Sequence, residues 1–418
     1  MADREPGPGS DKRSLFSWCL YDWANSAFTT VVITFVFATY FAKSVAVDPV
    51  SGAAQWGFAN SVSALIIAVL APVLGAIADS GGRRKPWVFA FTVLSVVLTA
   101  ALWFVEPGSE FIMLALILVV FANVGFEMAI VFYNAMLPDI APKSMIGRIS
   151  GWAWGLGYFG GLACLVIILT TFDTSSLVQI RATSVLVAVW FALFSIPLFV
   201  FTADNPSNGL PVAEAVGGGL KTLVGTLKRV REYGVIVRFL IARIVYNDGL
   251  ITLFAMGGVF AASAFGMTTN EILQFAVFIN ITAGIGAVGF AWIDDGIGSK
   301  KTILISLVGL VILGVVVINV ESKLMFLIFG SALGFFVGPV QAASRSMMAH
   351  LAPPNLRSEM FGLFAFSGKA TAFLGPLLFG LVTTATGTTR GGIATILVFF
   401  LVGGLLLLSV PEPDRGED

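Results

Sequence analysis

The chain has 418 residues, of which 57% are hydrophobic and 11% are charged. Soluble domains carry about a quarter charged residues, so this composition excludes an ordinary soluble protein and predicts a membrane protein. The formal net charge of zero says nothing by itself about nucleic acid. The basic residues cluster at the ends of predicted loops, as membrane topology requires, and no nucleic-acid partner is expected.

The chain begins with a polar stretch rich in Gly and Pro, residues 1–13, which we predict to be a cytoplasmic tail. The apolar run after it is too long for the hydrophobic region of a cleavable signal, so it is expected to remain as the first membrane span. Cys19 and Cys164 both lie in apolar runs, where cysteine most often packs as a small hydrophobe. Neither a disulfide nor a metal site is therefore expected from them.

Twelve apolar runs follow in order, each bounded by charged residues, Gly or Pro and of about 20 residues, the length that crosses a bilayer as a helix. We number them as spans 1 to 12: Leu15–Ala42, Ala53–Ala78, Trp87–Val105, Phe111–Leu137, Ile149–Thr171, Ala182–Thr202, Val235–Ala264, Ile272–Trp292, Thr302–Val320, Leu324–Ala349, Phe361–Thr384 and Gly391–Val410. The prediction is an all-α integral membrane protein with both termini on one side of the membrane.

A short polar turn, Gly75 to Pro86, separates spans 2 and 3 and sets the predicted orientation. It carries Asp79 and three consecutive bases, Arg83, Arg84 and Lys85. Basic residues prefer the cytoplasmic ends of spans, and most other bases of the chain fall at ends that this orientation also makes cytoplasmic. Both termini are therefore predicted to be cytoplasmic, in the inner (plasma) membrane of a bacterium.

The segment between spans 6 and 7, residues 204–234, divides the chain into two sets of six spans, residues 14–203 and 235–410. A second cytoplasmic tail, residues 411–418, follows. Within the segment, apolar residues recur at helical spacing between bases: Leu220, Leu223, Val224, Leu227 and Val230, with Lys221, Lys228, Arg229 and Arg231. This pattern is typical of an amphipathic helix on the anionic lipids of the inner leaflet, with a solvated linker as the alternative.

The two halves repeat one another. Residues 133–142, at the end of span 4, align with residues 344–353, at the end of span 10, and the same offset places Gly151 on Gly362. Residues 294–301, between spans 8 and 9, are a weaker echo of the turn after span 2. The repeat predicts two pseudo-symmetric six-helix bundles, an architecture of many secondary transporters, in which the substrate path lies between the repeats.

Glycine and proline positions add local detail. In span 10, Gly330, Gly334 and Gly338 form one stripe of small residues, which predicts close packing against another helix. In span 11, Gly375 and Pro376 predict a kink.

Several motifs carry a resemblance to a known family. The pattern Gly75-x-x-x-Asp79-x-x-Gly82-Arg83-Arg84 resembles the signature loop of the major facilitator superfamily, with Ser80 where an arginine is common. The stretches Tyr21–Phe28, Tyr133–Pro138 and Ser367–Ala370 are similar to the vacuole-effluxer branch, the autophagy-related effluxer-like proteins. The likeness covers nearly the whole chain.

The resemblance implies a fold, a gate and a set of helices that line the path. In the superfamily, spans 1, 4, 7 and 10 line a central cavity, with help from spans 2, 5, 8 and 11. Loops like the one after span 2 hold the cytoplasmic ends together in one state, which implies gate residues: Asp79, Arg83 and Arg84, with Asp295 and Lys300 in the echo. The best-known members of the branch export amino acids from fungal vacuoles, which implies little about the substrate of a bacterial relative.

Charged residues inside spans are the strongest functional signal: Asp22, Glu127, Arg243, Asp248, Arg345 and Lys369. A charge deep in hydrocarbon costs at least about 2.5 kcal/mol, so each needs a partner, water or a short reach to the interface. All of them except Lys369 lie on spans 1, 4, 7 and 10. Their placement favours roles in substrate binding or coupling.

Glu127 and Lys369 are the deepest of these. Glu127 is about 11 residues, or roughly 16 Å, from the end of span 4 and shares a face with Asn123. A carboxyl there can exchange a proton or bind a substrate amine, and a fixed ion pair is the alternative. Lys369 is about 12 residues, or roughly 18 Å, into span 11, where it either binds a substrate carboxylate or pairs with Glu127, Asp22 or Asp248.

Spans 1 and 7 carry polar residues at corresponding places. Asp22 shares a face with Asn25, and Tyr246, Asn247 and Asp248 hold the corresponding place in the second half. Asp22 is either a ligand or a gate residue.

Three further polar residues lie on spans 7 and 10. Arg243 either pairs locally or meets a carboxylate substrate. Arg345, four residues after Gln341, lies close enough to the end of span 10 to snorkel to the interface. The single histidine, His350, aligns with Asp139 in the repeat, and little in the sequence indicates a proton role for it.

These patterns predict a monomeric secondary active transporter that works by alternating access. We expect coupling to protons through Glu127, Asp22 or Asp248, and a small polar or zwitterionic solute such as an amino acid. The candidate substrate-binding residues are Glu127, Lys369, Asp22, Asn25, Asn123, Tyr246, Asn247, Asp248, Arg243, Gln341 and Arg345. The alternatives are a translocator of lipids, lysolipids or amphiphilic drugs, and a membrane receptor or scaffold that does not transport.

No pattern in the chain predicts an enzyme. The sequence has no His/Cys cluster, no Gly-x-Ser-x-Gly turn and no His-Glu-x-x-His motif, so neither catalysis nor a metal or other cofactor is expected.

Overall fold

The computed structural model describes residues 11–173 and 175–413. Most of the two predicted tails, residues 1–10 and 414–418, lies outside the described residues. In the described part of the chain every regular element is helical, which confirms the all-α prediction. The α-helices are α1 Lys12–Ala27, α2 Phe37–Tyr40, α3 Pro49–Gly81, α4 Lys85–Ala101, α5 Ile112–Ile140, α6 Ile146–Thr171, α7 Leu177–Phe201, α8 Val212–Lys228, α9 Gly234–Phe265, α10 Thr269–Ile297, α11 Ser299–Asn319, α12 Lys323–Leu351, α13 Arg357–Lys369, α14 Leu374–Thr386 and α15 Thr389–Leu408.

Among the described residues, 12 segments are long and apolar enough to cross a membrane, as the sequence predicts. Some begin before their apolar runs. The second runs Pro49–Gly81 because the Asp48 carboxylate caps its start, accepting hydrogen bonds from the backbone N–H groups of Val50 at 2.9 Å and Ser51 at 3.0 Å. A capped polar turn thus lengthens the helix beyond its hydrophobic stretch.

The first span is not one regular helix. After α1, residues Phe28–Phe35 and Phe41–Val45 form π-helical turns on either side of α2. Residues 29–34 are all β-branched, and such side chains lose rotamers against the preceding helical turn. The Thr34 hydroxyl donates to the Thr29 carbonyl at 2.8 Å, five residues back. Helix distortions of this kind are frequent at functional sites.

Span 11 is broken between α13 and α14, a few residues before the predicted kink. Residues 370–373 form a turn in which the N–H of Leu374 donates to the carbonyl of Thr371 at 2.7 Å. Pro376 lies in the first turn of α14, where its missing N–H needs no partner. Its ring also blocks the carbonyl four residues back, at Ala372, so α13 cannot continue into α14 as one helix.

The segment between the halves contains α8. It packs closely on the end of α3, since a Cβ on Gly219 would lie 2.6 Å from the Cα of Ile77. Val216, Leu220 and Val224, at spacings of four, are exposed on another face of α8. The helix is therefore held by one face and presents an apolar stripe on another.

The helices group into two compact units. Unit 1 contains the described residues up to Ala141, with Leu156–Leu223 and Asn355–Ala365. Unit 2 contains Pro142–Gly155, Val224–Pro354 and the described residues from Phe366 onward. Each unit therefore takes one short segment from the other half of the chain: the start of α13 joins unit 1, and the start of α6 joins unit 2. The two segments are equivalent in the sequence repeat.

Close helix contacts inside each unit follow the small residues. On α12, Gly338 faces the backbone of α10, where its Cβ would lie 3.0 Å from the carbonyl carbon of Ala283, and Gly334 faces Ile279 in the same way. On α6, Gly157 lies against α1, where a Cβ would be 2.8 Å from the Ser26 hydroxyl. The predicted close packing of the span 10 stripe is thus confirmed.

Candidate functional site

A carboxylate at the end of α3 caps the start of α13 within unit 1. Asp79 accepts hydrogen bonds from the backbone N–H groups of Ser358 at 3.0 Å and Glu359 at 2.8 Å. Ser358 and Glu359 are the second and third residues of α13, and N–H groups at these positions have no partner within the helix. The carboxylate also faces the positive end of the helix dipole. Asp79 thus acts as the N-terminal cap of α13, although a capping residue normally lies directly before the helix in the chain.

Small residues bring the two helices together at this point. A Cβ on Gly75, one turn before Asp79, would lie 2.7 Å from the backbone carbonyl carbon of Ser358. On the other side, a Cβ on Gly362 would lie 2.6 Å from the carbonyl carbon of Ala71. We call this contact, formed by Asp79, Gly75 and the start of α13, the α3–α13 junction.

Arg84 supplies the positive charge that neutralises the carboxylates at the α3–α13 junction. Its side chain is 4% exposed, its Nε donates to the Ser358 hydroxyl at 2.9 Å, and it pairs with Asp79 at 3.4 Å and with Asp139. Arg357, at the start of α13, also pairs with Asp139. Burial lowers the pKa of the Arg84 guanidinium, while the Asp79 carboxylate opposes that shift.

The other predicted residue of this turn, Arg83, lies apart from the junction. Its side chain is exposed and pairs with Asp204 at 3.5 Å. Asp204 also accepts from the backbone N–H of Arg84 at 2.9 Å, so it fixes the turn and not the helix contact.

Unit 2 contains an equivalent contact between α10 and the start of α6. Asp295, at the end of α10, accepts from the backbone N–H of Arg148 at 3.0 Å and from its Nε at 3.1 Å. A Cβ on Gly151 would lie 2.6 Å from the carbonyl oxygen of Ala287. We call this contact, formed by Asp295, Arg148, Gly151 and Ala287, the α6–α10 junction. Gly151 holds the place here that Gly362 holds in the α3–α13 junction.

Lys300, predicted beside Asp295, lies elsewhere. Its Nζ donates to the carbonyl of Leu408 at 2.9 Å, at the end of α15, and its backbone N–H donates to Glu412 at 3.2 Å. It therefore joins α11 to the end of α15 and to Glu412, and it is not among the contacts given above for the α6–α10 junction.

Arg345 binds the start of α6 from α12. It is 3% exposed, and it donates to the Ser150 hydroxyl at 2.9 Å and to the Ser150 carbonyl at 2.8 Å. Its guanidinium carbon lies 5.6 Å from the centre of the Trp154 ring, within range of a cation–π contact. The expected snorkelling is wrong, because these partners hold the side chain inside the protein.

A second polar cluster joins α9 to the break in span 11, within unit 2. Arg243 donates to the Ser367 hydroxyl at 2.6 Å, and Asn247 donates to the Gly368 carbonyl at 3.4 Å. The Thr371 hydroxyl donates to the Asp248 carboxylate at 3.1 Å.

Gly368 permits this arrangement, since a Cβ there would lie 3.2 Å from the Arg243 guanidinium. The stretch Ser367–Ala370 is thus built against candidate residues of span 7.

The other predicted site residues are placed as follows. In unit 1, Asn25 donates to the Asp22 carboxylate at 3.4 Å, and Asn123 donates to the Ser63 hydroxyl at 2.8 Å, one turn from Glu127 on α5.

In unit 2, the Tyr246 and Ser344 hydroxyls are 2.7 Å apart, Gln341 lies on α12, and Lys369 is the last residue of α13.

Comparison with known proteins identifies the family. Residues 44–417 match the model of the family described as "Vacuole effluxer Atg22 like". The chain belongs to the Atg22-like family. The Bacillus subtilis protein YxiO, an uncharacterized MFS-type transporter, is 31% identical over 95% of this chain and 94% of its own length. Autophagy-related protein 22 of Coccidioides immitis is 22% identical over 85% of this chain and 72% of its own length.

A solved structure shows the same fold. The fucose:proton symporter FucP of E. coli superimposes with a TM-score of 0.73, at 15% identity, over 96% of this chain and 98% of that one. The Atg22-like protein is thus a multi-pass membrane protein with the major facilitator fold, and its family consists of transporters and not enzymes.

Sequence reasoning missed several residues of the Atg22-like protein that build the junctions. The pairing of Asp139 with Arg357 has no signal in the sequence beyond their opposite charges and their positions near predicted span ends. Ser358 and Glu359 contribute backbone N–H groups, which no residue type signals.

Proposed function

We propose that this Atg22-like protein is a secondary active transporter that opens and closes by alternating access. The observation that carries the proposal is the pair of equivalent junctions, each made by a carboxylate on backbone N–H groups next to a glycine contact. These contacts are hydrogen bonds at helix ends, and a carboxylate and a backbone N–H can each bond to water when the ends separate. They suit helix ends that separate and rejoin during a cycle.

The substrate we propose is a small polar or zwitterionic solute such as an amino acid. The cluster around the break in span 11 offers both charges, Arg243 and Asp248, with the Asn247 amide and the Ser367 hydroxyl between them. A guanidinium takes a carboxylate through two parallel hydrogen bonds, and a carboxylate takes an ammonium group. Broken helices near the middle of a span are also typical of substrate sites in transporters.

We further propose coupling to protons through Glu127, Asp22 or Asp248, and a place in the bacterial inner membrane with both termini cytoplasmic. The buried positions of Asp22 and Asp248 inside spans support the coupling, because carboxylates within membrane spans are typical members of proton pathways in transporters. The bases at predicted cytoplasmic ends support the orientation.

Transport by purified protein in proteoliposomes tests the proposal. Counterflow of labelled amino acids without a gradient measures transport, and the same flux under an imposed pH gradient measures coupling. Arg243→Gln and Asp248→Asn should each lower uptake at least about tenfold, the effect of losing one hydrogen bond to a charged group. The matched control is Arg238→Gln on the same helix, because Arg238 is exposed and donates to the Ser409 carbonyl away from the cluster.

The outcomes separate the parts of the proposal. Flux that ignores the pH gradient for every transported solute contradicts coupling alone. Uptake of lysolipid with no amino-acid flux contradicts the substrate class. Equal uptake by Asp248→Asn and Arg238→Gln shows that the cluster is not the binding site.

A further inference from the structure

The single histidine of the chain, His350, lies in the last turn of α12 with both ring nitrogens facing carbonyl oxygens. Nδ1 is 2.8 Å from the carbonyl of Ser346, and Nε2 is 3.2 Å from the carbonyl of Lys143. A carbonyl oxygen can only accept a hydrogen bond, so each nitrogen must donate if both bonds are to form. Only the imidazolium carries a proton on both nitrogens. Both hydrogen bonds can therefore form together only when the ring is protonated.

We propose that His350 is a proton-binding site that holds the start of α6 against α12 when protonated and releases it when neutral. Lys143 begins the short helical turn that leads into α6, so the Nε2 bond joins α12 to that segment. In the neutral ring one nitrogen bears a lone pair, which faces the lone pairs of a carbonyl and repels them. Loss of one proton thus turns a hydrogen bond into a repulsive contact.

The contacts around His350 tie it to the α6–α10 junction. The Ser346 hydroxyl donates to the Asp294 carboxylate at 2.5 Å, while the Ser346 carbonyl faces the imidazole. Asp294 is 4% exposed, and among the described residues its Oδ1 has no hydrogen-bond partner. Asp294 directly precedes Asp295, the capping carboxylate. A proton on His350 therefore acts on the same helix ends that Asp295 and Arg148 join.

Charged groups lie on each of the elements around His350. Asp294 and Asp295 lie at the end of α10, Lys143 and Arg148 at the start of α6, and Arg345 lies five residues before His350 on α12. Arg148 is paired with Asp295 at 3.1 Å, and Arg345 is bound to Ser150. The Lys143 side chain is exposed, and His350 itself lies at the C-terminal, negative end of the α12 dipole.

The equivalent place in unit 1 cannot respond in the same way. Asp139, which aligns with His350, is paired with both Arg84 and Arg357. Histidine is the side chain that ordinarily changes charge between about pH 5 and 8, whereas arginine stays charged. Only the unit 2 contact should therefore weaken as the pH on its side rises through that range. Acidification closes it.

Nitrogen-15 NMR of the histidine ring tests the protonation state directly. Because the chain has one histidine, protein labelled with ¹⁵N-histidine and purified through a tag without histidine gives a single pair of ring signals. In lipid nanodiscs at about pH 6, both nitrogens should show the shifts of protonated ring nitrogens. A ring with one bare nitrogen down to that pH contradicts the inference.

Double electron–electron resonance tests the effect on the helix ends. Spin labels at Ser144→Cys and Lys301→Cys, both exposed positions, report the distance between the start of α6 and the start of α11 in a Cys19→Ala, Cys164→Ala background. The start of α11 is joined to α12 by the Ser299 and Ser346 hydroxyls, which are 2.8 Å apart. The ratio of short to long distances should fall about tenfold between about pH 5.5 and about pH 8, the effect of losing one charged hydrogen bond. His350→Gln, always neutral, and His350→Lys, always charged, should each remove this pH dependence.

The results also distinguish this inference from the proposed function, on which it rests only for the opening of the helix ends. The role of His350 is overturned if wild type shows two spin-label distances whose ratio does not change with pH. It is also overturned if the His350→Gln protein keeps the wild-type pH dependence. Either result leaves alternating access intact. A single distance under all conditions contradicts both. Neither the NMR nor the spin-label experiment measures transport, so a transporter that is not coupled to protons would leave both results unchanged.

Discussion

Arg83 and Arg84 are neighbours in the chain with opposite surroundings. Arg84 is buried and touches two carboxylates and a hydroxyl, whereas Arg83 is exposed and touches one carboxylate at 3.5 Å. Exposed ion pairs contribute roughly 0–1 kcal/mol because water screens them. Breaking a buried pair leaves an uncompensated charge away from water. The two arginines therefore form a natural matched pair.

Arg84→Ala should destabilise the protein by about 3–5 kcal/mol, since it strips Asp79 and Asp139 of a buried cation. Arg83→Ala should change stability by less than about 0.5 kcal/mol. Thermal unfolding of the two variants in one detergent measures the difference. Equal midpoints would show that the α3–α13 junction is not held by charge.

Some single-residue contacts of the junctions could be predicted from the sequence, and others could not. Asp79 and Asp295 could be predicted from the signature loop and its echo, because their residue type carries the capping role. Their partners could not, since backbone N–H groups are the same in every residue except proline. The contacts of His350 could not be predicted for a similar reason. Its two carbonyl partners lie four residues earlier on its own helix and on another helical segment, and every residue type has a backbone carbonyl.

At the scale of helices, glycines decide which pairs come close and which leave room. On α12, Gly334 touches the backbone of α10, and its Cβ would lie 3.1 Å from the Ala283 nitrogen. On α9, a Cβ on Gly257 would meet nothing within 4 Å. Gly257 lines an apolar cavity of about 30 Å³ in unit 2, together with Phe260 and Phe400. The same residue type thus marks a contact in one helix and a gap in another.

Gly257→Ala should stabilise the protein by about 0.5–1 kcal/mol, because alanine restricts the unfolded chain and fills part of the cavity. Gly334→Ala should destabilise it by about 1–3 kcal/mol, because α10 and α12 must move apart. Unfolding midpoints of the two single variants, compared with wild type, give both signs. A loss of stability in Gly257→Ala would mean that the gap is needed.

In the whole molecule, two features show the internal repeat: the hydrophobic spans and the polar junctions. The 12 spans among the described residues follow from hydrophobicity alone, since an apolar run of about 20 residues can cross hydrocarbon as a helix that satisfies its own backbone groups. The break in span 11 also follows from Pro376 once its effect four residues back is counted. Hydrophobicity does not predict that the starts of α6 and α13 belong to the opposite unit. That assignment depends on contacts of helix ends, which a count of spans treats as loops.

If both junctions belong to one opening motion, disrupting either junction should favour the opening of both. Asp79→Asn and Asp295→Asn each replace a charged acceptor of backbone N–H groups, and each should raise the open-to-closed ratio about tenfold. The two sites share no partner among the contacts described, so their free energies should add and the double variant should reach about a hundredfold.

A cysteine at Ala78, which is buried in the α3–α13 junction, reports this opening through its rate of labelling by a membrane-impermeant maleimide. The measurement uses the background without native cysteines, with Arg83→Ala as the control that should leave the rate unchanged. Faster labelling of Ala78→Cys in Asp295→Asn shows that the change in unit 2 reaches unit 1. Labelling that responds to Asp79→Asn alone would mean that the junctions open independently, and a single alternating-access motion would not describe the protein.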